Sequence, residues 1–460
     1  MTYPRLLIAG TSSGVGKTTV TLALLAAFHA KGRRVQPFKI GPDFIDPGHH
    51  QAACGRESLN LDGWMLEAEM NRQRFLQAAH DADLSIVEGM MGLFDGSSPV
   101  GDRGSAVEQA KQLDIPVLLI VDGSGMARSA AAMVHGYATF DPSLHVRGVI
   151  FNRIKSDGHY QLLKDAVEQD TDVTVVGYLR PDPEVTIADR HLGLQTAIEG
   201  RSDDLYKKLG QSLSETVDLD LIEQIAQSCS ELTDENSMKK EHVRRGLKRS
   251  VKIGVAYDPA FCFYYRDNLD LLEAEGAELV KFSPINDTAL PDVDLLYFGG
   301  GYPEVYAKQL EQNEAMRTAV KRFADAGGHI YAECGGLMYL GASVCDFDGT
   351  VYDLAGVIPI KTSMARTRMS LGYRELTIMC GGRLGEQGTT VRGHEFHYSQ
   401  MHAQGDLEYV GRMTDAQGRD QGGDGIMVGN VLALYTHLHF ASNPQVPAAL
   451  IQAALDGPSR

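Results

Sequence analysis

Gly10-Thr11-Ser12-Ser13-Gly14-Val15-Gly16-Lys17-Thr18-Thr19 stands between an apolar run at residues 5–9 and a helical stretch at 21–29. A strand, a glycine-rich turn and a helix in that order build a phosphate-binding loop. Backbone N–H groups converge on the anion and the helix start adds its dipole. The common loop has four residues between its first glycine and Gly-Lys-Ser/Thr. Here Gly10 and Gly16 enclose five, so the loop is a lengthened variant. Gly14 and Gly16 free the backbone to approach a phosphate, and Lys17 neutralises the outer phosphates. The Thr18 hydroxyl, with Thr19 beside it, is suited to a magnesium ion. The expected ligand is therefore MgATP.

Working outward, further β-rich runs fall at residues 34–39, 84–87, 117–121 and 146–151, alternating with helical stretches. That alternation predicts a doubly wound parallel sheet, whose ligands bind beyond the carboxyl ends of the strands. Those ends carry polar chemistry. The second closes in Lys39-Ile40-Gly41-Pro42-Asp43 and the third in Val87-Glu88-Gly89. Asp43 and Glu88 are the expected magnesium carboxylates beside Thr18, and Asp95 is a further candidate for substrate or metal. Asn152, closing the 146–151 run, is a candidate to read a purine edge. Lys39, Arg190 and His191 are candidates to face a carboxylate-rich substrate.

From about residue 201 to 249 the chain turns polar and charged, which reads as one or two surface helices followed by a linker. A second α/β series begins near 250, with strands expected at 252–257, 294–298, 329–332 and 431–435. More exposed antiparallel strands are expected at 374–379 and 389–392. The expected organisation is thus 1–200 ATP-binding, 201–249 linker and 250–460 a second catalytic domain.

In that second series, Ala332-Glu333-Cys334-Gly335-Gly336 places a cysteine on a tight strand-to-helix turn. Small neighbours at 332 and 336 are what a nucleophile elbow requires. Helix-start N–H groups, Gly335 among them, favour a thiolate and an oxyanion. Gly300 and Gly301, in Gly299-Gly300-Gly301-Tyr302, are candidates for further oxyanion or glutamine contacts. The base must come from elsewhere. Tyr435-Thr436-His437-Leu438-His439 offers His437 first and His439 second. The Gly393-His394-Glu395-Phe396-His397-Tyr398-Ser399 block is equally consistent with a ligand contact and a structured turn.

Composition narrows the partners. With 60 acidic against 43 basic residues the formal charge is -17, which argues against nucleic acid as a ligand. Glycine is over-represented, 49 of 460 residues, against a usual share of about 7%. The six cysteines form no CxxC and no zinc spacing, and no run approaches a membrane span or a signal-peptide core. A cytoplasmic protein without disulfides or structural zinc is expected. Oligomeric state is left open, a homo-oligomer included.

Taken together, these motifs closely resemble the cobyrinic acid a,c-diamide synthase family, nearly end to end. The first part is similar to dethiobiotin-synthetase-type ATPases, which share the lengthened loop. The second is similar to class I glutamine amidotransferases of the cobyrinate/cobyric-acid type. The resemblance implies that Lys17, Thr18, Asp43 and Glu88 hold MgATP, and that Cys334 and His437 are nucleophile and activating base. Most class I relatives carry glutamate two residues after that histidine. Here the position is His439, a departure shared by the cobyrinate-type branch, so a third triad member is unassigned. The implied substrates are ATP, L-glutamine and cobyrinic acid, amidated at its a and c acetates through acyl phosphates in cobalamin biosynthesis. Ammonia would follow a sheltered path between the domains. Hydrogenobyrinic acid and nickel-sirohydrochlorin are alternative substrates of the same chemistry, and cobyric acid synthase is an alternative of the same domain plan. Partition-type ATPases are disfavoured because Ser12 stands where they carry a second lysine.

Overall fold

A computed structural model describes residues 3–182, 189–190, 193–199, 203–232, 250–367 and 369–456. The chain divides into two compact units, residues 1–239 and 240–460.

The first unit contains β1 (Arg5–Gly10), α1 (Lys17–Ala30), β2 (Val35–Ile40), α2 (Ile45–Cys54), β3 (Leu59–Leu61), α3 (Ala68–Ala79) and β4 (Leu84–Gly92). It continues through α4 (Ala106–Gln112), β5 (Val117–Asp122), α5 (Ser129–Thr139), β6 (Val146–Asn152), α6 (Asp157–Asp170) and β7 (Thr174–Tyr178). A small ribbon, β8 (Asp189–Arg190) with β9 (Gly193–Leu194), precedes α7 (Asp203–Thr216) and α8 (Leu219–Gln227). Seven strands form one sheet in the order β3-β2-β4-β1-β5-β6-β7, and their pairings are parallel. The strands are apolar on both faces because both are covered. Leu7, Val87, Leu119 and Val121 enter one core, and Leu6, Ile8, Ile86 and Ile120 the other. α1 is buried along most of its length because it packs against both α2 and α7. Tyr206, Leu209, Leu213, Ile222 and Ile225 of α7 and α8 join that core, so both helices belong to the first unit.

The second unit opens with β10 (Val251–Ala256), α9 (Arg266–Ala274), β11 (Ala277–Phe282), β12 (Leu295–Phe298), α10 (Ala307–Gln312) and α11 (Glu314–Asp325). Then come β13 (His329–Glu333), α12 (Gly335–Leu340), β14 (Ser343–Cys345), β15 (Val351–Asp353), β16 (Ile360–Met364), β17 (Ser370–Ile378) and β18 (Thr390–His397). It ends with β19 (Ser399–Ala403), β20 (Tyr409–Asp415), β21 (Asp420–Val428), β22 (Val431–Leu434), β23 (His437–Leu438) and α13 (Gln445–Asp456). A ten-stranded sheet runs β11-β10-β12-β13-β22-β21-β20-β17-β18-β23. Its first five strands pair in parallel, and its later pairings are antiparallel, β17 with β18 included.

No helix among the described residues is long and apolar enough to cross a membrane.

Candidate functional site

In the first unit, polar groups gather at the carboxyl ends of β1, β2, β4 and β6. β1 is central, with β4 and β5 on either side; the chain runs from β1 out toward β2 on one side and from β4 across to β5 on the other, and such a reversal opens a crevice there. The loop after β1 is left-handed at Gly14 (φ 78°) and Gly16 (φ 96°). Glycine at 16 is also required by space, since a Cβ there would lie 2.1 Å from Asn152 Nδ2. That amide donates to Val15 O at 2.8 Å. Asn152 thus braces the loop, a contact that its position in sequence does not signal. Arg153 adds a bond to Gly14 O at 2.8 Å. Lys17 Nζ donates to Ser12 O at 3.3 Å, curling over the loop. Burial and the neighbouring Lys39 hold the Lys17 ammonium below its ordinary range.

Beside the loop is a charged cluster. Thr18 Oγ1 donates to Glu88 Oε1 at 2.7 Å and lies 3.4 Å from Asp46 Oδ2. Lys39 Nζ donates to Asp46 Oδ2 at 2.5 Å and to Glu88 Oε1 at 3.0 Å. His50 Nε2 meets Glu88 Oε2 at 2.7 Å. Burial opposes the Lys39 charge, but Asp46, Glu88 and Asp43 outweigh it and push its pKa up. Burial likewise works against a charged Glu88, and Lys39 and His50 overcome it, holding the carboxyl well below its usual range.

Asp43 has a different job in the backbone. Its Oδ1 accepts from Ile45 N at 2.7 Å and Asp46 N at 3.2 Å, starting α2, while its Oδ2 stays 4.0 Å from Lys39 Nζ. Burial, then Asp46, raises the Asp43 carboxyl to about 7. Asp46, three residues on, is the carboxylate next to Thr18. Neither Asp46 nor His50 stood out in sequence, although the one-turn step from Asp46 to His50 along α2 puts both on one face. The Thr18 hydroxyl and the Glu88 and Asp46 carboxylates present oxygen atoms of the kind that suit a hard cation such as magnesium, with Lys39 Nζ bonded to the same two carboxylates.

Asp95 Oδ2 accepts from Gly92 N at 2.9 Å, tightening the turn after β4, and its charge acts on Lys17. Arg190 lies in the β8–β9 ribbon; its side chain and the whole of His191 fall outside the described residues.

In the second unit, Cys334 joins β13 to α12 with φ 46° and ψ -101°. A non-glycine residue at positive φ is strained, as expected of a nucleophile elbow. Cys334 N donates to Leu434 O at 2.8 Å, and Gly336 N donates to Gly299 O at 3.0 Å. The Gly299–Gly301 loop meets both catalytic candidates. A Cβ on Gly335 would come 3.0 Å from Gly301 N, and one on Gly300 would come 2.3 Å from His437 Cε1. Burial pushes the Cys334 thiol up, with Glu304 and Glu395 adding to it, so a base must activate it.

His437 is buried and its pKa falls to about 3 through burial and the nearby His397. Asp424 accepts from Tyr435 N and Thr436 N, each at 3.0 Å. Asn268 donates to Leu438 O at 2.7 Å and accepts from Phe440 N at 2.8 Å. These two side chains fix the histidine segment: Asn268 comes from a distant helix and Asp424 from the paired strand β21, and neither carries a local sequence signal. The 393–399 block contributes directly: His394 stacks on His437 with ring centroids 5.0 Å apart. His397 stacks on Tyr435 at 4.1 Å. His439 Nε2 is 3.4 Å from Asp267 Oδ2, and its ring centroid lies 4.5 Å from that of Tyr265.

One consequence is a pH effect. Burial lowers His397 to about 4, so between that value and about 6.5 the unfolded chain binds more protons. Stability from this residue is full above about 6.5 and lost as pH falls. Relative to His397→Gln, the parent should lose about 2 kcal/mol between pH 7 and pH 5. Thermal melts of both proteins across that range check this; a gap independent of pH contradicts it.

Comparison with known proteins agrees with both units. Residues 6–194 match the CobQ/CobB/MinD/ParA nucleotide binding domain. Residues 252–445 match the CobB/CobQ-like glutamine amidotransferase domain. A cobyrinate a,c-diamide synthase of Syntrophotalea carbinolica is 44% identical over 460 residues, covering 98% of each chain. One from Priestia megaterium is 42% identical over 448 residues, 97% of this chain and 96% of the relative. One from Salmonella typhimurium is 41% identical over 450 residues, 97% of each. With both domains matched and such relatives along nearly its whole length, the chain belongs to the cobyrinate a,c-diamide synthase family, glutamine-dependent amidotransferase ligases.

Proposed function

We propose that this enzyme of cobalamin biosynthesis amidates the a and c acetate carboxylates of cobyrinic acid, using ATP and glutamine through acyl-phosphate intermediates. The observation that carries the reading is the strained Cys334 elbow on one unit paired, in one chain, with a phosphate loop and the Thr18–Glu88–Asp46–Lys39 cluster on the other.

In the glutaminase unit, Cys334 gives its proton to His437 and its sulfur attacks the glutamine amide carbon. The proton then passes to the leaving nitrogen, ammonia departs, and water hydrolyses the glutamyl thioester. Gly301, Gly335 and their neighbours offer N–H groups to the oxyanion. In the ATPase unit, the loop of Gly14 and Gly16 with Lys17 holds the triphosphate. Thr18 and Glu88, with Asp46 and Asp43, would hold magnesium, which supplies charge neutralisation at the phosphates. A substrate carboxylate oxygen attacks the γ-phosphorus and ADP leaves. Ammonia then attacks the acyl carbon, and phosphate departs with one former carboxylate oxygen. Lys39 offsets the carboxylate charge that an anionic substrate meets here.

The test uses amide-¹⁵N glutamine, ATP and cobyrinic acid carrying ¹⁸O carboxylates. A diamide with label at both nitrogens and ¹⁸O in the released phosphate is expected. Unlabelled phosphate overturns the acyl-phosphate route. Amidation of hydrogenobyrinic acid or nickel-sirohydrochlorin in preference to cobyrinic acid reassigns the substrate.

A further inference from the structure

We propose that Glu333 is the carboxylate that positions His437, filling the role that His439 does not. This rests on Cys334 and His437 being the glutaminase pair. Glu333 is the last residue of β13, immediately before the thiol, and is 1% exposed at the end of an apolar strand. Its Oε2 lies 4.0 Å from His437 Nδ1. Tyr331 OH donates to Oε1 at 2.6 Å, Leu438 N donates to Oε1 at 3.2 Å, and Tyr297 OH donates to Oε2 at 3.2 Å. An ionised carboxylate has about four acceptor sites, so Oε2 keeps capacity on the side of the imidazole.

The bond to Leu438 N matters most. It ties the carboxylate to the backbone of the residue after His437, so the two cannot drift apart independently. Other buried acids nearby are committed elsewhere. Asp424 holds the N–H groups of Tyr435 and Thr436, Glu395 pairs with Arg374 at 2.8 Å, and Asp267 faces His439. When His437 takes the Cys334 proton, an imidazolium forms against this carboxylate, and the separation closes to a charge-assisted hydrogen bond. The sequence order is unusual: the orienting acid adjoins the nucleophile instead of following the base. Burial raises the Glu333 carboxyl to about 7, which disfavours its charge on its own; an imidazolium forming beside it favours the ionised form. The titratable groups facing the pair include Tyr264 before α9, Tyr297 on β12, Tyr331 on β13, Asp424 on β21, His394 and His397 on β18, and Cys334 itself.

The experiment compares Glu333→Gln and Glu333→Asp in the full chain. Glutamine hydrolysis by Glu333→Gln should fall about 100-fold or more in kcat, with KM changed less than about threefold. The acid limb of its kcat/KM profile should move to lower pH, because the imidazolium has lost its partner. Ammonium-dependent amidation should persist. Glu333→Asp, which keeps a carboxylate, should exceed the Gln variant about tenfold or more. A Gln variant with parent-like kcat and an unmoved acid limb overturns the proposal, as does an Asp variant no better than Gln. If the Gln variant loses ammonium-dependent amidation as well, the Asp variant decides: glutamine hydrolysis with an acid limb near the parent's supports the proposal, and hydrolysis no better than that of the Gln variant overturns it. Cys334→Ala separates the two levels. If it still uses glutamine, the glutaminase reading itself fails; if it does not and Glu333→Gln is normal, only the positioning role fails.

Discussion

Cys334→Ala is expected to lose glutamine-dependent amidation by about 10⁴-fold or more while ammonium-dependent amidation, assayed at alkaline pH, continues. The size follows from the site. The thiol is the one nucleophile on the elbow between β13 and α12, and its φ of 46° is set by the turn rather than by its side chain. Alanine can keep that backbone through the bonds from residue 334 N to Leu434 O and from Gly336 N to Gly299 O. The fold should therefore survive, and the first unit should still activate a carboxylate for ammonia. Loss of activity with both nitrogen donors would sink the division of labour between the units.

Lys39→Met should cost about 3–5 kcal/mol of stability, the usual consequence of removing one partner from a buried charge cluster. Lys39 is 3% exposed and its ammonium faces Asp46, Glu88 and Asp43. Methionine fills similar volume and supplies no charge. The sign with pH is informative. In the parent, Lys39 is shifted up and Glu88 down, so their mutual stabilisation is lost only in strong acid or strong base. In the variant the crowded carboxyls shift upward, so its stability should fall as pH rises through neutrality. Denaturant melts between mild acid and mild base measure both effects. A variant within about 1 kcal/mol of the parent, with no pH trend, would show that the cluster does not depend on its lysine. ATP-dependent amidation should be lost with either nitrogen donor.

The central strands and their chemical ends were legible because buried parallel strands read as unbroken apolar runs. β1, β2, β4, β5 and β6 fall within a residue of expectation at their starts. The edge strands were not. β3 has three residues around a polar Asn60, and β11 alternates half-exposed side chains at the sheet margin. At the first site the loop, Lys17, Thr18 and Glu88 were readable from local pattern. Asp46 was obscured by Asp43, because the two lie three residues apart and only the backbone trace tells which caps the helix and which turns toward Thr18. At the second site the sequence points to the elbow and to His437. Asn268 and Glu333 act through long-range contacts and Asp424 across a hairpin from the paired strand β21, and such partners leave no local signature.

The packing around His437 also limits how the glutaminase can be switched. Gly300 lies under the edge of its ring, His394 covers a face, and a Cβ on Gly393 would come 2.0 Å from its carbonyl oxygen. These contacts oppose rotation of the imidazole on the sides they cover. Any shift of the ring toward Gly300 therefore needs the Gly299–Gly301 main chain to give way, and there Gly301 holds a φ of 155° that glycine tolerates readily.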